Sequence, residues 1–351
     1  MKLLILIGLV LLIIAVHQLM RVIELSREFK KTKEWAVTEN DNSFNGKMML
    51  TFMFVFFAFF FWQVDRWNDR VLPDAASVHG QKIDVLWDYN IYLITFVFLI
   101  TNAVLFYFSY KYSGKKNTKA TFFAHDNRLE MIWTIVPAVV LAFIIIFGLK
   151  YWNEITERST DPNKITIELY AKQFDWTARY AGKDKVLGST DYRQISGANS
   201  VGRDTTDVTG DDDIIVKNEF HIPVNREIEF KMRSRDVIHS AYMPHFRAQM
   251  NCVPGMITEF KFIPNKTTAE MRKDPYVIQL MAGINKVRAA KGEEPVEFDY
   301  TLLCNKICGT SHYSMQMIIV VDTEKDYNEW LSKQKAIKTV AVKEEVAKAD
   351  N

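Results

Sequence analysis

Four residues near position 310 are of the types that bind soft metal ions. The stretch CNKICGTSHYSM contains Cys304, Cys308, His312 and Met315, separated by four, four and three positions. With one histidine from elsewhere, the two cysteines and His312 could complete a tetrahedral zinc site. Structural zinc sites more often space their cysteines as C-x2-C, however, and methionine is not a usual zinc ligand. Zinc therefore explains this stretch only in part.

Copper offers two alternatives. A mononuclear blue-copper site combines one cysteine, two histidines and a weak axial methionine. Cys308, His312 and Met315 follow that order, but Cys304 is then left without a role. Two cysteines four residues apart on a tight loop could instead bridge a pair of copper ions, each with a histidine of its own. Sharing one electron between two metals spreads any change in bond length, and the sequence favours this dinuclear centre because it uses all four residues.

Composition and charge exclude several classes of protein. The 351 residues include 44 basic and 42 acidic side chains, for a net charge of +2, so no charge imbalance indicates a nucleic-acid partner. Three cysteines are too few for a disulfide framework in a chain of this length. Apolar runs dominate up to about residue 150, and a composition typical of soluble domains follows. We therefore expect a membrane part followed by a soluble domain.

Four stretches approach the roughly 20 apolar residues that a membrane-spanning helix needs. They are residues 3–20, 49–64, 91–110 and 131–149. No small-x-small cleavage site follows the first, which favours a retained anchor over a signal peptide. A buried hairpin helix is the alternative for the short second stretch. The loops RVIELSREFKKTK and KYSGKKNTK are basic and are expected in the cytoplasm, which places everything after Lys150 on the outer side.

The soluble part shows the period-two alternation of β-strands and predicts a β-sandwich. The alternating stretches are residues 165–176, 227–233, 256–264, 298–304 and 315–322. Residues 182–213 are polar and dotted with glycine, so we expect a long surface loop there. Residues 267–294 have helical spacing and are expected to pack outside the sheets. The lysine- and glutamate-rich tail after Tyr327 predicts one short helix.

Three motifs resemble subunit II of the haem–copper cytochrome c oxidases, in the same order. CNKICGTSHYSM matches C-x3-C-x3-H-x2-M, DVIHS with His239 matches D-V-L/I-H-S, and EMIWTIVP from Glu130 to Pro137 matches E-x-x-W-T-x-x-P. The resemblance covers roughly residues 90–325. It implies a membrane-anchored all-β protein, with N-terminal transmembrane helices (two usual plus two extra) followed by a cupredoxin-like Greek-key β-sandwich. The implied divisions are the extra helices, the usual transmembrane hairpin, the copper domain and a charged tail, at residues 1–88, 89–152, 153–326 and 327–351.

The resemblance also implies a ligand set. In that family six ligands hold two copper ions in a dinuclear centre called CuA, in which the methionine and a backbone carbonyl are weak axial ligands. The corresponding ligands here are His239, Cys304, the backbone carbonyl of Lys306, Cys308, His312 and Met315. His221 and His245 are expected to lie outside this set. Cys252 is expected to be a small buried hydrophobe.

Glu130 has two interpretations. A carboxylate at the cytoplasmic end of a membrane span is either a surface residue or a proton entry point. In the related subunits the matching glutamate lies at the mouth of a proton pathway into subunit I. The resemblance therefore favours a role for Glu130 in proton entry.

The chain departs from the family at two positions that bear on the magnesium site and on electron entry. Lys306 stands where the family usually has an acidic residue that also binds magnesium, so a magnesium site is in doubt. Phe174 stands where the family has the tryptophan that receives the electron, although Trp176 is kept. We therefore expect electrons to enter through Phe174 and Trp176, by a route that differs from that of the family. No C-x-x-C-H motif for a covalently bound haem occurs in the chain.

The function implied by the resemblance is that of an electron-accepting oxidase subunit. It would take electrons from a cytochrome c-like donor at CuA and pass them to the haem of subunit I, where oxygen reduction is coupled to proton pumping. The implied partners are subunit I, which would carry the haems and CuB, subunit III, and either cytochrome c or a haem-bearing quinol:cytochrome c oxidoreductase in a supercomplex. The implied location is the bacterial inner membrane, with the copper domain on the periplasmic side. The alternatives are the CuA subunit of a nitric oxide reductase and a membrane-tethered copper carrier.

Overall fold

The computed structural model describes residues 2–29, 38–68 and 71–337. Four long helices come first, and they are α1 (Lys2–Phe29), α2 (Glu39–Trp67), α3 (Val78–Lys111) and α4 (Asn127–Thr156). By length and composition α2, α3 and α4 could each cross a membrane. They cover three of the four predicted spans. Helix α1 covers the remaining span, residues 3–20, and its insertion in a membrane stays a prediction.

Side-chain caps fix where two of these helices begin. The side-chain oxygen of Thr38 accepts a hydrogen bond from the N–H of Asp41, and the carboxylate of Asp41 accepts one from the N–H of Thr38. This reciprocal capping box starts α2. At α4, the carboxylate of Asp126 accepts hydrogen bonds from the N–H groups of Arg128 and Leu129.

The chain divides into two compact units. One contains α1, α2 and the second half of α3, and in it α2 and α3 pack through phenylalanine rings. The ring centroids of Phe52 and Phe106 are 5.5 Å apart, and those of Phe56 and Phe98 are 5.8 Å apart. The other unit contains the first half of α3, α4 and all of the sheet structure. The division at residues 88, 152 and 326 stays a prediction.

Two five-stranded sheets make up the sandwich. The strands are β1 (Ile165–Lys172), β2 (Asp175–Tyr180), β3 (Ile214–Lys217), β4 (Glu219–Pro223), β5 (Ile228–Ser234), β6 (His239–Met243), β7 (Ala248–Cys252), β8 (Thr258–Phe262), β9 (Tyr300–Cys304) and β10 (Gln316–Asp322). The sheets have the orders β3-β2-β1-β5-β8 and β4-β10-β9-β6-β7. Strands β1 and β5 are parallel neighbours, as are β4 and β10, and the other paired strands are antiparallel.

Apolar side chains from both sheets fill the space between them. Leu169 and Phe230 from the first sheet and Leu302 and Ile319 from the second are fully buried. Each such side chain contributes about 1.5–3 kcal/mol relative to an exposed one. The core therefore explains why the alternating sequence stretches become strands.

The predicted fold class, transmembrane helices followed by a cupredoxin-like β-sandwich, is confirmed in its helices and its two packed sheets. Each of the five alternating stretches contains a strand. Strands β2, β3, β4, β6 and β7 were not predicted as separate strands, because runs of four to six residues are too short for alternation to stand out. Helices α5 (Thr268–Met271) and α6 (Pro275–Ala289) confirm the helical prediction for 267–294, and α7 (Glu324–Lys333) confirms the short helix near Tyr327. Residues after 337 lie outside the described part of the chain.

The loop of residues 182–213 is irregular, as predicted, but it is not confined to the surface. Val201 and Asp213 are buried. Arg179 on β2 donates hydrogen bonds to the carbonyl oxygen of Gly188 and to the carboxylate of Asp213. The expectation of a surface loop was wrong for these residues, because a buried guanidinium needs several acceptors and the loop supplies them.

Candidate metal centre

Two neighbouring strands and the loop after one of them bring the predicted ligands together. His239 is the first residue of β6 and Cys304 is the last residue of β9. These strands are antiparallel, and Ala241 pairs with Cys304. The N–H of Cys304 donates to the carbonyl oxygen of Met315 at 3.1 Å, which closes the base of the loop. The N–H of Asn305 donates to the carbonyl oxygen of Ser240 at 3.1 Å, so the loop starts beside the first residues of β6.

Four side chains make a continuous series of close contacts. The Sγ atom of Cys304 lies 3.8 Å from Nδ1 of His239 and 3.8 Å from Sγ of Cys308. The Sγ atom of Cys308 lies 3.5 Å from Nδ1 of His312. In a zinc site, a metal–thiolate bond is about 2.3 Å long and a metal–imidazole bond about 2.0–2.1 Å. Bonds of this length would let both atoms of each neighbouring pair bind one metal ion.

The four donors do not surround a single point. Among the residues that the structure describes, the donor atoms of His239, Cys304 and Cys308 all lie within 4.8 Å of one another, and His312 does not belong to this group. A tetrahedral site for one ion would need all four donors around the same centre. Each histidine instead lies beside a different cysteine, which fits two ions better than one.

The two remaining predicted donors contact the same sulfur atoms. The Sδ atom of Met315 lies 3.9 Å from Sγ of Cys308, and the carbonyl oxygen of Lys306 lies 3.2 Å from Sγ of Cys304. Lys306 itself is exposed. All six predicted donors thus meet in one place, which we call the donor cluster: His239, Cys304, Lys306 (carbonyl oxygen), Cys308, His312 and Met315.

Burial shapes the chemistry of the donor cluster. His239 is fully buried, and Cys308 and Met315 are nearly so. Burial, together with the neighbouring Cys304, raises the pKa of the Cys308 thiol to about 11. At neutral pH this thiol keeps its proton unless a metal cation replaces it. The donor set of sulfur and imidazole suits soft or borderline ions such as copper.

Asp236 is a contact of the donor cluster that the sequence analysis missed. Its Oδ1 atom lies 2.9 Å from Nε2 of His239. Burial opposes ionisation of Asp236, but the N–H of Gln173, the His239 ring and the N–H of Val237 outweigh it, so the pKa of Asp236 is lowered. Asp236 is the first residue of DVIHS, and only the histidine of that motif was interpreted.

The two aromatic residues predicted for electron entry lie beside the donor cluster. Trp176 is fully buried, and its ring makes an edge-to-face contact with the ring of His239, with centroids 6.3 Å apart. Phe174 is half-buried, and its ring lies against Gly309. Gly309 belongs to the loop between β9 and β10, which we call the metal loop. Their role in electron entry stays a prediction.

Glu130 lies in the first turn of α4, far in sequence from the donor cluster. Its side chain is half exposed, and its Oε1 atom is 4.0 Å from Nδ1 of His125. Its role in proton entry stays a prediction.

The other histidines and the third cysteine of the soluble part have different surroundings. The His221 ring pairs with Asp322 and stacks on Trp330, with ring centroids 4.3 Å apart. The His245 ring packs edge-on against Phe298 and Tyr300. Cys252 is fully buried on β7, opposite His239, and burial raises the pKa of its thiol to about 12.

Comparison with known proteins places this geometry in context. The family model for the transmembrane domain of cytochrome c oxidase subunit II matches residues 65–151, and the model for its periplasmic domain matches residues 165–271. The second match includes His239 and ends before Cys304. The alternative cytochrome c oxidase subunit 2 of Bradyrhizobium diazoefficiens is 29% identical over 255 residues, which is 72% of this chain and 80% of that protein.

A more distant relative and a solved structure also match. Cytochrome c oxidase subunit 2 of Arabidopsis thaliana is 24% identical, over 78% of this chain and 90% of that protein. The crystal structure of the periplasmic domain of subunit II of cytochrome oxidase from Bradyrhizobium japonicum matches with a TM-score of 0.30 and 21% identity, and it covers 50% of this chain and 94% of that one.

Proposed function

The chain belongs to the cytochrome c oxidase subunit II family, and we propose that it accepts electrons at a dinuclear copper centre and passes them to the haem of subunit I. It is anchored in the membrane and carries a periplasmic domain. The observation that carries the proposal is the pair of adjacent cysteine sulfurs, each of which lies beside its own histidine.

Each member of the donor cluster has a proposed role. Bound there, a dinuclear copper centre would supply one-electron redox chemistry in which two metals share the charge. The sulfur atoms of Cys304, Cys308 and Met315, the rings of His239 and His312, and the carbonyl oxygen of Lys306 would hold the two ions. Burial of His239, Cys308 and Met315 would keep water from the centre and so limit rearrangement on electron transfer.

The surface around the donor cluster supports docking of an electron donor through apolar contacts. Ile307 and Tyr313 belong to the metal loop, and they are 87% and 89% exposed. Val237 and Ile238 lie just before the ligand-bearing strand and are also exposed. A group of exposed apolar side chains is typical of an interaction site. We infer that the donor is a cytochrome c-like protein, either free or as part of a haem-bearing quinol:cytochrome c oxidoreductase held in a supercomplex.

The remaining partners follow from the same proposal. Phe174 and Trp176 would form the electron entry route, because they contact the metal loop and a ligand ring respectively. The acceptor would be a subunit I that carries the haems and CuB and couples oxygen reduction to proton pumping, with subunit III in the same complex. The complex would lie in a bacterial inner membrane. We propose no magnesium ion at Lys306, because magnesium prefers oxygen ligands and an ammonium group repels it.

Purification of the membrane complex through a tag on this chain tests the proposal. The complex is expected to contain haem, to consume oxygen with reduced cytochrome c, and to lose two coppers and this activity when Cys304→Ser and Cys308→Ser are combined. Cys252→Ser, a buried cysteine outside the donor cluster, is the matched control and should keep both. A complex that reduces nitric oxide but not oxygen would contradict the oxidase assignment, and copper without any haem partner would indicate a copper carrier.

We propose that Glu130 admits protons to subunit I. Glu130→Gln should slow oxygen consumption severalfold, because the neutral amide cannot release a proton, while copper content and the rate of electron entry stay unchanged. Glu154→Gln alters a carboxylate at the opposite end of α4 and should leave turnover unaffected. Unaltered oxygen consumption in Glu130→Gln would make Glu130 a surface residue.

A further inference from the structure

The turn between β1 and β2 lies next to the segment that precedes the ligand His239. Strands β1 and β5 are parallel neighbours, and Ala171 pairs with Ser234 at their ends. Two residues after these paired positions, just beyond the strand ends, Gln173 and Asp236 lie side by side. The N–H of Gln173 donates to Oδ2 of Asp236 at 2.7 Å. The parallel pairing thus brings the β1–β2 turn to the copper motif.

Asp236 uses its other oxygen on the ligand itself. Its Oδ1 atom lies 2.9 Å from Nε2 of His239, and it also accepts the N–H of Val237 at 2.7 Å. An imidazole that donates from Nε2 keeps the lone pair on Nδ1. Nδ1 is the atom that lies 3.8 Å from Sγ of Cys304. Asp236 therefore favours the tautomer of His239 that can bind a metal from within the donor cluster.

The same turn also holds the other side of the donor cluster. The side-chain amide of Gln173 donates to the carbonyl oxygen of Cys308 at 2.6 Å. The next residue, Phe174, packs against Gly309, where a Cβ atom would lie only 2.7 Å from the ring and where φ is +143°. Gly309 is therefore needed for the turn to approach the metal loop. One turn thus contacts both ligand-bearing segments.

We propose that Gln173 and Asp236 form a clamp that positions both sides of the copper centre. Asp236 orients the ring of His239, and Gln173 holds the main chain at Cys308 at a fixed distance from it. Both are positioning residues, since each acts on the donor cluster through His239 or the main chain at Cys308. This inference rests on the proposed function. The clamp links the two histidine-bearing sides of the centre through the β1–β2 turn. The electron-donating protein could also contact this turn at Phe174.

The test compares four variants of the full chain in its purified complex with the unmutated protein. Asp236→Ala removes the acceptor of the His239 ring, and copper affinity, measured by competition with a chelator, should fall by about 10- to 100-fold. The copper hyperfine pattern and the reduction potential of the centre should change as well. Asp236→Asn keeps one acceptor oxygen and should restore part of the affinity. Gln173→Ala should alter the hyperfine pattern with a smaller loss of copper.

Asp175→Asn is the matched control. It lies in the same hairpin, and its carboxylate pairs with Lys172 rather than with a ligand segment. It should leave affinity, potential and hyperfine pattern unchanged. Thermal unfolding of the copper-free proteins separates positioning from stability, and Asp236→Asn should unfold at the temperature of the unmutated protein.

Three results would overturn the clamp. The first is an unchanged hyperfine pattern and affinity in both Asp236→Ala and Gln173→Ala. The second is an equal loss in Asp175→Asn, and the third is a loss explained by lower stability of the copper-free variants. If the unmutated protein shows a two-copper signal, these results reject the clamp alone. If the unmutated protein shows no such signal, the proposed function and the clamp fail together.

Discussion

Two polar clusters lie in the same sandwich and balance their charges in opposite ways. In the ionic cluster, Arg179 donates to Glu168 at 2.8 Å and to Asp213 at 2.9 Å, and Arg233 donates to the second oxygen of Glu168 at 2.5 Å. Two cations of the chain thus face two carboxyl groups of the chain. In the donor cluster, sulfur and nitrogen lone pairs face one another, and two thiolates would need cations from outside the chain.

This contrast separates stability from function. The ionic cluster also fixes the loop of residues 182–213, because Arg179 donates to the carbonyl oxygen of Gly188 and Arg233 to that of Val201. Its members are almost fully buried, so the loss of one leaves an uncompensated charge. We infer that the ionic cluster serves the fold and the donor cluster serves electron transfer. A substitution in one should change its own property and spare the other.

The largest effect is expected in the ionic cluster. Glu168→Ala leaves two buried guanidinium groups without their shared carboxylate, and the free energy of unfolding should fall by about 3–5 kcal/mol. Chemical denaturation of the purified protein measures this change. Glu324→Ala, which removes a half-exposed partner of Arg226, is the control and should cost less than about 1 kcal/mol. Equal losses in the two variants would contradict the distinction, as would a changed copper spectrum in folded Glu168→Ala.

His245 belongs to neither cluster and offers a test by pH. Burial, helped by the charge of Arg247, lowers the pKa of His245 from 6.5 to about 4, although Asp74 acts in the opposite direction. The unfolded chain binds this proton near pH 6.5 and the folded chain only near pH 4. As the pH falls from 6.5 to 4, the free energy of unfolding should therefore fall by at most about 3 kcal/mol. The stabilisation that comes from neutral His245 is fully present above pH 6.5.

His245→Phe isolates this effect. The variant should lose that part of the pH dependence, since phenylalanine does not titrate and fits among the same aromatic rings. Unfolding free energies of both proteins between pH 4 and 7 measure the difference in slope. Identical slopes would show that His245 is protonated without cost in the folded state.

The smallest effect is expected at Lys306. The carbonyl oxygen of Lys306 faces Cys304, and the residue itself is exposed. Lys306→Glu should therefore leave copper content unchanged, which metal analysis of the purified complex would measure. Cells grown with excess manganese should yield unmutated enzyme without a manganese resonance coupled to copper, and stoichiometric manganese at this position would contradict the proposal.

Part of the donor cluster could be predicted from residue spacing because its geometry is local. Five of the six donors lie between Cys304, the last residue of β9, and Met315, while the sixth, His239, opens β6 and was assigned through the resemblance to the family. The spacing of residues in a tight loop fixes their separation in space. The structure brings these six donors into contact, and their binding of copper stays a prediction.

The clamp and the ionic cluster could not be predicted because their partners meet only after the sheets form. Gln173 and Asp236 are 63 positions apart, and Glu168 and Arg233 are 65 positions apart. Both pairs depend on the parallel pairing of β1 with β5. Alternation shows that a strand exists, but it does not show which strand lies beside it or in which register. The buried part of the loop of residues 182–213 was missed for the same reason.

Electron paramagnetic resonance of the oxidised protein tests whether the donor cluster holds two copper ions that share one electron. One unpaired electron spread over two equivalent copper nuclei gives a seven-line hyperfine pattern, and this is the result that we expect from the purified, copper-loaded protein. Cys304→Ser should abolish that pattern. A four-line pattern from the unmutated protein would show a single copper ion and would rule out a dinuclear centre in the donor cluster.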